Sequence, residues 1–262
     1  MTHRHSAVAA ACCIAFASAS PSLQAKPWEL IRADGEISVC ANPNALPYSS
    51  NKPDAPGFQL EIARALAERL GVRLRVDWII PRMRASTVDC DLLMDTIAVP
   101  GVQPPSIRMS APYYRSGVPL AFGRDQRPAP TYRALESGTR VGVIMNSLAS
   151  LILSKTAATM ISFGFESDML EALARGEIAA AAASAASIGY FNLKNPEAKL
   201  QLVHAEDDEP ELRWPVAIGM RRADDELVQK VNAALAQLLA DGTIARIYAR
   251  YGVEHRTPGS AP

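Results

Sequence analysis

The chain has 262 residues, 48% of them hydrophobic, with 27 basic and 27 acidic side chains in formal balance. That is ample for one or two packed cores. It excludes the basic face expected of a nucleic-acid binder.

The N-terminus reads as an export signal. Arg4 supplies the positive region, Ala7 to Ala17 the short apolar stretch, and Leu23-Gln24-Ala25 a small-residue cleavage site, so the cut is expected after Ala25. The apolar stretch is too short to span a bilayer. Cys12 and Cys13 lie inside it, not after it where a lipid-modified cysteine belongs. Removing residues 1–25 takes out Arg4 and no acid, leaving one net negative charge and two cysteines, Cys40 and Cys90. In an oxidising compartment, one bridge is the natural reading of two cysteines, and two separate buried thiols the other.

Residues 37–41 form an apolar run that ends at Asn42-Pro43-Asn44, a strand entering a loop. Phe58, Ile62, Leu66 and Leu70 then repeat every four residues, a helix face stopped by Gly71. Val72, Leu74, Val76 and Trp78 alternate with polar residues, and 91–97 is a further short apolar run, which predicts β-α-β with parallel strands. Phe58 and Trp78 fit their elements' core faces. Residues 118–122 predict a strand, and 140–144 opens a second β-α-β unit. Ser167 is placed as the cap of a helix closed by Gly176. Strands are expected at 200–204 and 215–220. Two helices follow, the first with Leu227, Val231, Leu235 and Leu238, the second capped by Thr243. The acid run from Glu206 to Glu211 reads as a solvated loop, and the polar tail 253–262 as mobile.

The ordered set GFQLEIARALAERLG (57–71), VDCDLLM (88–94), APYYRSG (111–117), RVGVIMNS (140–147), ALARGEIAAA (172–181) and IARIYARYG (244–252) resembles the periplasmic solute-binding proteins of polar amino-acid ABC importers, family 3. The resemblance implies an α/β, bilobed type II periplasmic binding protein with two hinge segments, near Tyr114 to Leu120 and Arg213 to Ala217. Lobe 1 is expected to be 26–118 with 214–262, and lobe 2 to be 119–213. CANPNALPYS (40–49), CDLLM (90–94), PYYRS (112–116) and IGYFN (188–192) are similar to the narrower XoxJ/MoxJ-like proteins of methanol-oxidation operons. That likeness implies a periplasmic accessory of a PQQ-dependent alcohol or methanol dehydrogenase, lanthanide-dependent forms included, and a Cys40–Cys90 bridge. This chain has Ala185, Ala186 and Ser187 where that subfamily carries Trp-Gly-Pro.

In importers of the family an Arg after the strand matching 91–97 clamps the ligand carboxylate, because a guanidinium donates two parallel hydrogen bonds. The loop from Ile97 to Gly101 has no Arg, and Ala179 to Ser184, which should hold the acid for an α-ammonium, has no acid. The cleft is therefore expected to use Tyr48, Asp95, Thr96, Tyr113, Asn146, Ser147 and Ser184. The ligand would be weakly polar, delivered to an ABC permease, or the cleft would take a partner protein. Enzymes on this fold need a general acid in the cleft. Asp95 stands without a second acid or base, Glu177 faces solvent, and neither His204 nor His255 is spaced to pair with a nucleophile. No enzyme activity, cofactor, metal or nucleic-acid partner is expected.

Overall fold

The structure is a computed structural model that describes residues 27–79 and 90–259. The proposed signal and its cleavage site lie outside the described residues. The first part of the chain holds α1 (Trp28–Asp34), β1 (Glu36–Ala41), β2 (Asn44–Ala45), β3 (Ser49–Ser50), α2 (Phe58–Leu70), β4 (Arg73–Trp78) and β5 (Leu92–Ile97). Next come β6 (Ile107–Met109), β7 (Tyr114–Gly117), β8 (Leu120–Phe122), β9 (Arg140–Ile144), α3 (Leu148–Leu153), β10 (Thr159–Phe163), α4 (Glu166–Ala174), β11 (Ala180–Ala182) and α5 (Ala185–Lys194). The last elements are β12 (Gln201–Val203), β13 (Arg213–Arg221), α6 (Asp225–Ala240) and α7 (Thr243–Arg250).

Two mixed sheets result. The first has the order β4-β1-β5-β13-β6, with β7 also pairing β13. The second has the order β10-β9-β11-β8-β12. β1 runs parallel to β4 and β5, and β9 parallel to β10 and β11, as helical crossovers require. The chain passes from the first sheet to the second between Gly117 and Leu120 and returns between Val203 and Arg213. The two crossings run side by side, because Arg213 pairs with Gly117 and Val216 with Tyr114.

The apolar face of α2 dictates its seat: Phe58, Ile62 and Leu66 are buried, and Gly71 closes the helix at φ 71° with its N–H on the Ala67 carbonyl. Cys40 in β1 and Cys90 just before β5 form a disulfide with Cα atoms 5.6 Å apart, tying two adjacent parallel strands.

Several sequence expectations are corrected. Trp78 is 41% exposed, because it ends β4 at the sheet's rim and does not point into the core. Ser167 lies inside the first turn of α4, and Phe165 is the residue before the helix, with no side-chain cap. Thr243 is likewise the first helical residue of α7, and Gly242, at φ 73°, supplies the turn ahead of it. The acid run is not solvated throughout: Glu206 and Glu209 are buried. Each meets an arginine distant in sequence, Arg256 at 3.1 Å and Arg133 at 2.9 Å. The tail is anchored over its described part. Val253 is buried, the His255 ring lies 2.8 Å from the Tyr113 carbonyl, and the Arg256 carbonyl accepts from the Arg115 N–H.

Candidate functional site

The C-terminal ends of parallel strands are where open α/β sheets gather ligand-binding groups. In the first sheet that edge carries Trp78 and the Asp95-Thr96 pair. In the second it carries Met145-Asn146-Ser147 after β9, Phe165-Glu166 after β10 and Ser184 after β11.

Asp95 sits at an irregularity of β5. Its register against β13 shifts between Ala217 and Gly219, and Asp95 adopts φ 50°, a left-handed conformation unusual for any residue but glycine. The kink delivers its carboxylate to two donors. Tyr113, fully buried, donates its hydroxyl to Oδ1, and Gln59 in the first turn of α2 donates Nε2 to Oδ2 at 2.8 Å. Burial raises the Asp95 pKa above the usual carboxylate value, opposed by those two hydrogen bonds. Around it stand Tyr48, Tyr114 and Tyr248, whose hydroxyls are pushed up first by burial. The rings of Phe58 and Tyr48 are 5.0 Å apart, and those of Tyr114 and Tyr248 stack at 4.7 Å.

Ser184 faces Tyr48 from the second sheet. Its hydroxyl caps α5 by accepting from the Ser187 N–H at 3.2 Å. It also donates to Glu166 Oε2 at 2.7 Å, while the Ser184 N–H meets Oε1 at 2.8 Å. Glu166 thus supplies an acid at the place where the sequence from Ala179 to Ser184 has none, because the first turn of α4 lies beside the end of β11. Its charge, with that of Asp95, bears on the Tyr48 phenol.

The structure therefore brings Tyr48, Asp95, Tyr113 and Ser184 into one neighbourhood and adds Gln59 and Glu166, which sequence reasoning missed. Thr96 turns its hydroxyl to the Leu93 carbonyl at 2.9 Å. Ser147 caps α3 through the Ser150 N–H at 3.2 Å. Asn146 shares the left-handed conformation of Asp95, at φ 59°, and lies on the same strand-end edge as Ser184. Tyr113 contributes from beneath, not as a wall of an open cleft.

A groove of about 250 Å³ opens between the two halves, bounded by Leu46 and Pro47 on one side and by Ser167, Ser187 and Tyr190 on the other. A larger hollow of about 630 Å³, lined by Arg127, Arg140 and Glu177, lies at the opposite edge of the second sheet. It shares no residue with the site. Glu177 there is exposed and paired with Arg175.

Two sheets linked by paired crossings, with strand ends converging between them, define a bilobed type II periplasmic binding fold. Solved structures share it. The L-cystine solute receptor of Neisseria gonorrhoeae in its unliganded open conformation aligns with a TM-score of 0.72 at 20% identity, covering 88% of this chain and 98% of that one. The ancestral cationic amino acid solute binding protein AncCDT-1 gives 0.70 at 21% identity, covering 86% and 99%. Residues 37–254 match the bacterial extracellular solute-binding proteins, family 3, and the chain belongs to that family. Its relatives include the histidine-binding periplasmic protein of Escherichia coli K12, 25% identical over 91% of this chain and 93% of that protein. They also include an enzyme, the membrane-bound lytic murein transglycosylase F of Ectopseudomonas mendocina, 25% identical over 85% of this chain and 47% of that protein. Among the described residues no helix is long and apolar enough to cross a membrane.

Proposed function

We propose that this chain is an exported solute receptor of an ABC importer, released from its signal after Ala25, and not an enzyme. Lobe 1 (26–118 with 214–262) and lobe 2 (119–213) would hinge at the paired crossings and close over a small ligand. The observation that carries this reading is the meeting of Tyr48 and Asp95 from one half of the molecule with Ser184 and Glu166 from the other. Such a site is complete only when both lobes contribute. A catalytic reading is weaker, because the donors on Asp95 are a phenol and an amide and, among the described residues, no base or nucleophile pairs with it.

A second reading, an accessory of a PQQ-dependent alcohol dehydrogenase, is favoured by one observation. Met145, Leu148, Leu151 and Phe165 expose apolar side chains along one edge of the second sheet, Phe165 to 70%. Contiguous exposed apolar surface marks protein contacts. One experiment addresses both. A photo-crosslinker placed at Leu151 and at Leu30, an exposed leucine of α1 on the other half of the molecule, is expressed in the native cell, and the adducts are identified by mass spectrometry. An ABC permease subunit supports the receptor reading. A quinoprotein dehydrogenase in its place overturns it in favour of the accessory.

A further inference from the structure

The geometry points to an organic cation, a primary amine with an apolar or aromatic body and no carboxylate, as the substrate class of the cleft. This rests on the receptor reading and sharpens it.

Two carboxylates reach the site, one from each half of the molecule, and neither has a cationic partner among the described residues. Asp95 takes its hydrogen bonds from Tyr113 and Gln59, and Glu166 takes its own from the hydroxyl and N–H of Ser184. All four donors are neutral. Elsewhere in this chain Glu206, Glu209 and Glu61 are matched with Arg256, Arg133 and Arg250, whereas the partly buried Asp224 rests on the Trp28 and Leu227 N–H groups, with no ion pair among the described residues. The two site acids follow the second pattern. A partly buried carboxylate held only by neutral dipoles remains short of compensating charge.

A second observation concerns a buried hydroxyl next to this network. The Tyr248 hydroxyl is fully buried beside the Tyr113 hydroxyl that donates to Asp95, and among the described residues it makes no hydrogen bond of good geometry. An unpaired buried hydroxyl costs stability until something satisfies it. An ammonium group arriving beside Asp95 would meet the charge and act, through Tyr113, on the same pair of buried hydroxyls.

The same arrangement rejects what an amine resembles. A zwitterionic amino acid brings a carboxylate that needs a cation, and here it would meet two like charges in a poorly hydrated cleft. The ligand's body has a matching surface. Trp78 on one strand-end edge and Met145 and Phe165 on the other are exposed apolar side chains. Phe165 and Glu166 are sequence neighbours, so one lobe offers an apolar contact and a carboxylate side by side.

The test uses matched pairs that differ by one carboxylate. The full mature protein is titrated calorimetrically with phenethylamine against L-phenylalanine, tyramine against L-tyrosine, and histamine against L-histidine. Neutral 2-phenylethanol controls for charge. The expected result is that at least one amine binds about tenfold or more tightly than its amino acid and than the alcohol. Asp95→Asn and Glu166→Gln should each weaken that amine by about tenfold or more. Glu166 is only half-buried, so its variant keeps the test valid if the Asp95 variant misfolds, which a circular-dichroism melt reports. An amino acid or the alcohol binding as tightly as the amine overturns the substrate class and leaves the receptor reading standing. No binding by any amine overturns the substrate class as well. Only the absence of a permease cross-link, measured separately, would bring down the receptor reading itself.

Discussion

Gly189 in α5 and Gly252 after α7 meet backbone to backbone across the two halves of the molecule. A Cβ on Gly189 would lie 2.1 Å from the Gly252 carbonyl oxygen, and one on Gly252 would lie 2.5 Å from that of Gly189. Both distances are below any van der Waals contact, so a methyl at either place must separate the helices. Gly189→Ala is the cleaner probe. Gly252 sits at φ 73°, where an added side chain is strained in any case, whereas alanine favours the helical backbone of position 189 by up to about 1 kcal/mol. We expect the radius of gyration from small-angle scattering to rise as α5 and α7 part. Overpacking typically costs about 1–3 kcal/mol, which the helix gain partly offsets, so Tm should fall by only a few degrees. An unchanged radius with an unchanged Tm would mean the contact is not held in solution.

Asp95 gives a pH-dependent stability of definite sign. Its folded pKa is raised above the ordinary 3.8 by burial. Between that value and the raised one the native state holds more protons than the unfolded chain, so stability falls as pH rises through the window. Asp95→Asn removes the ionisation and keeps an acceptor for the Tyr113 hydroxyl. The variant should therefore be more stable than the parent at neutral pH, by about 2–4 °C in Tm for each kcal/mol recovered. The difference should vanish below pH 3.8. Thermal melts at pH 3 and pH 7 check this, and equal melting temperatures at pH 7 would contradict it.

Much of the fold was legible because its signals are local. The four-residue repeat Phe58, Ile62, Leu66, Leu70 and the stop at Gly71 locate α2 within a residue. Of the four expected candidates that the fold gathers, Asp95 and Ser184 sit at strand ends, while Tyr48 and Tyr113 lie just ahead of short strands. Glu166 lies 18 positions from the serine it bonds, with no periodicity connecting them, so only the packing of α4 beside β11 reveals it. The acid run misled for the same reason. Composition reads Glu206 as solvated, yet Arg256, 50 residues away, lets it be buried. Trp78 fitted an alternating strand, but alternation does not say where the rim of the sheet falls.

The Cys40–Cys90 bridge closes a loop with a sequence separation of 50 residues between two neighbouring core strands. Constraining the unfolded chain in this way is worth about 2–4 kcal/mol. Urea denaturation with and without a reductant, and of Cys40→Ser/Cys90→Ser, should show that loss. A midpoint unmoved by reduction would mean that the strands' own packing fixes them and that the covalent link adds nothing.

The C-terminal strap carries the strongest single-residue prediction. Arg256 reaches Glu206 at 3.1 Å and Asp207 at 2.7 Å, and Arg115 meets Asp207 at 3.3 Å. Glu206 is only 2% exposed, so removing its cation strands a buried charge. Breaking such a pair costs about 3–5 kcal/mol, the loss expected for Arg256→Ala, with Arg256→Lys recovering part of it. His204 modulates the same cluster from 2.8 Å on Glu206, and that hydrogen bond raises its pKa above 6.5. A raised folded pKa means that the contribution of His204 is complete below pH 6.5 and is lost as pH climbs through the folded value. The parent protein should therefore lose stability between mildly acidic and mildly alkaline pH, and His204→Gln should flatten that slope. Because Glu206 and Asp207 follow the last strand of the second sheet and Arg256 follows α7, the cluster also ties the two halves together beside the paired crossings. Scattering of the Arg256→Ala variant should show a broader range of lobe separations than the parent, and a radius of gyration identical to the parent's would confine the role of the strap to stability.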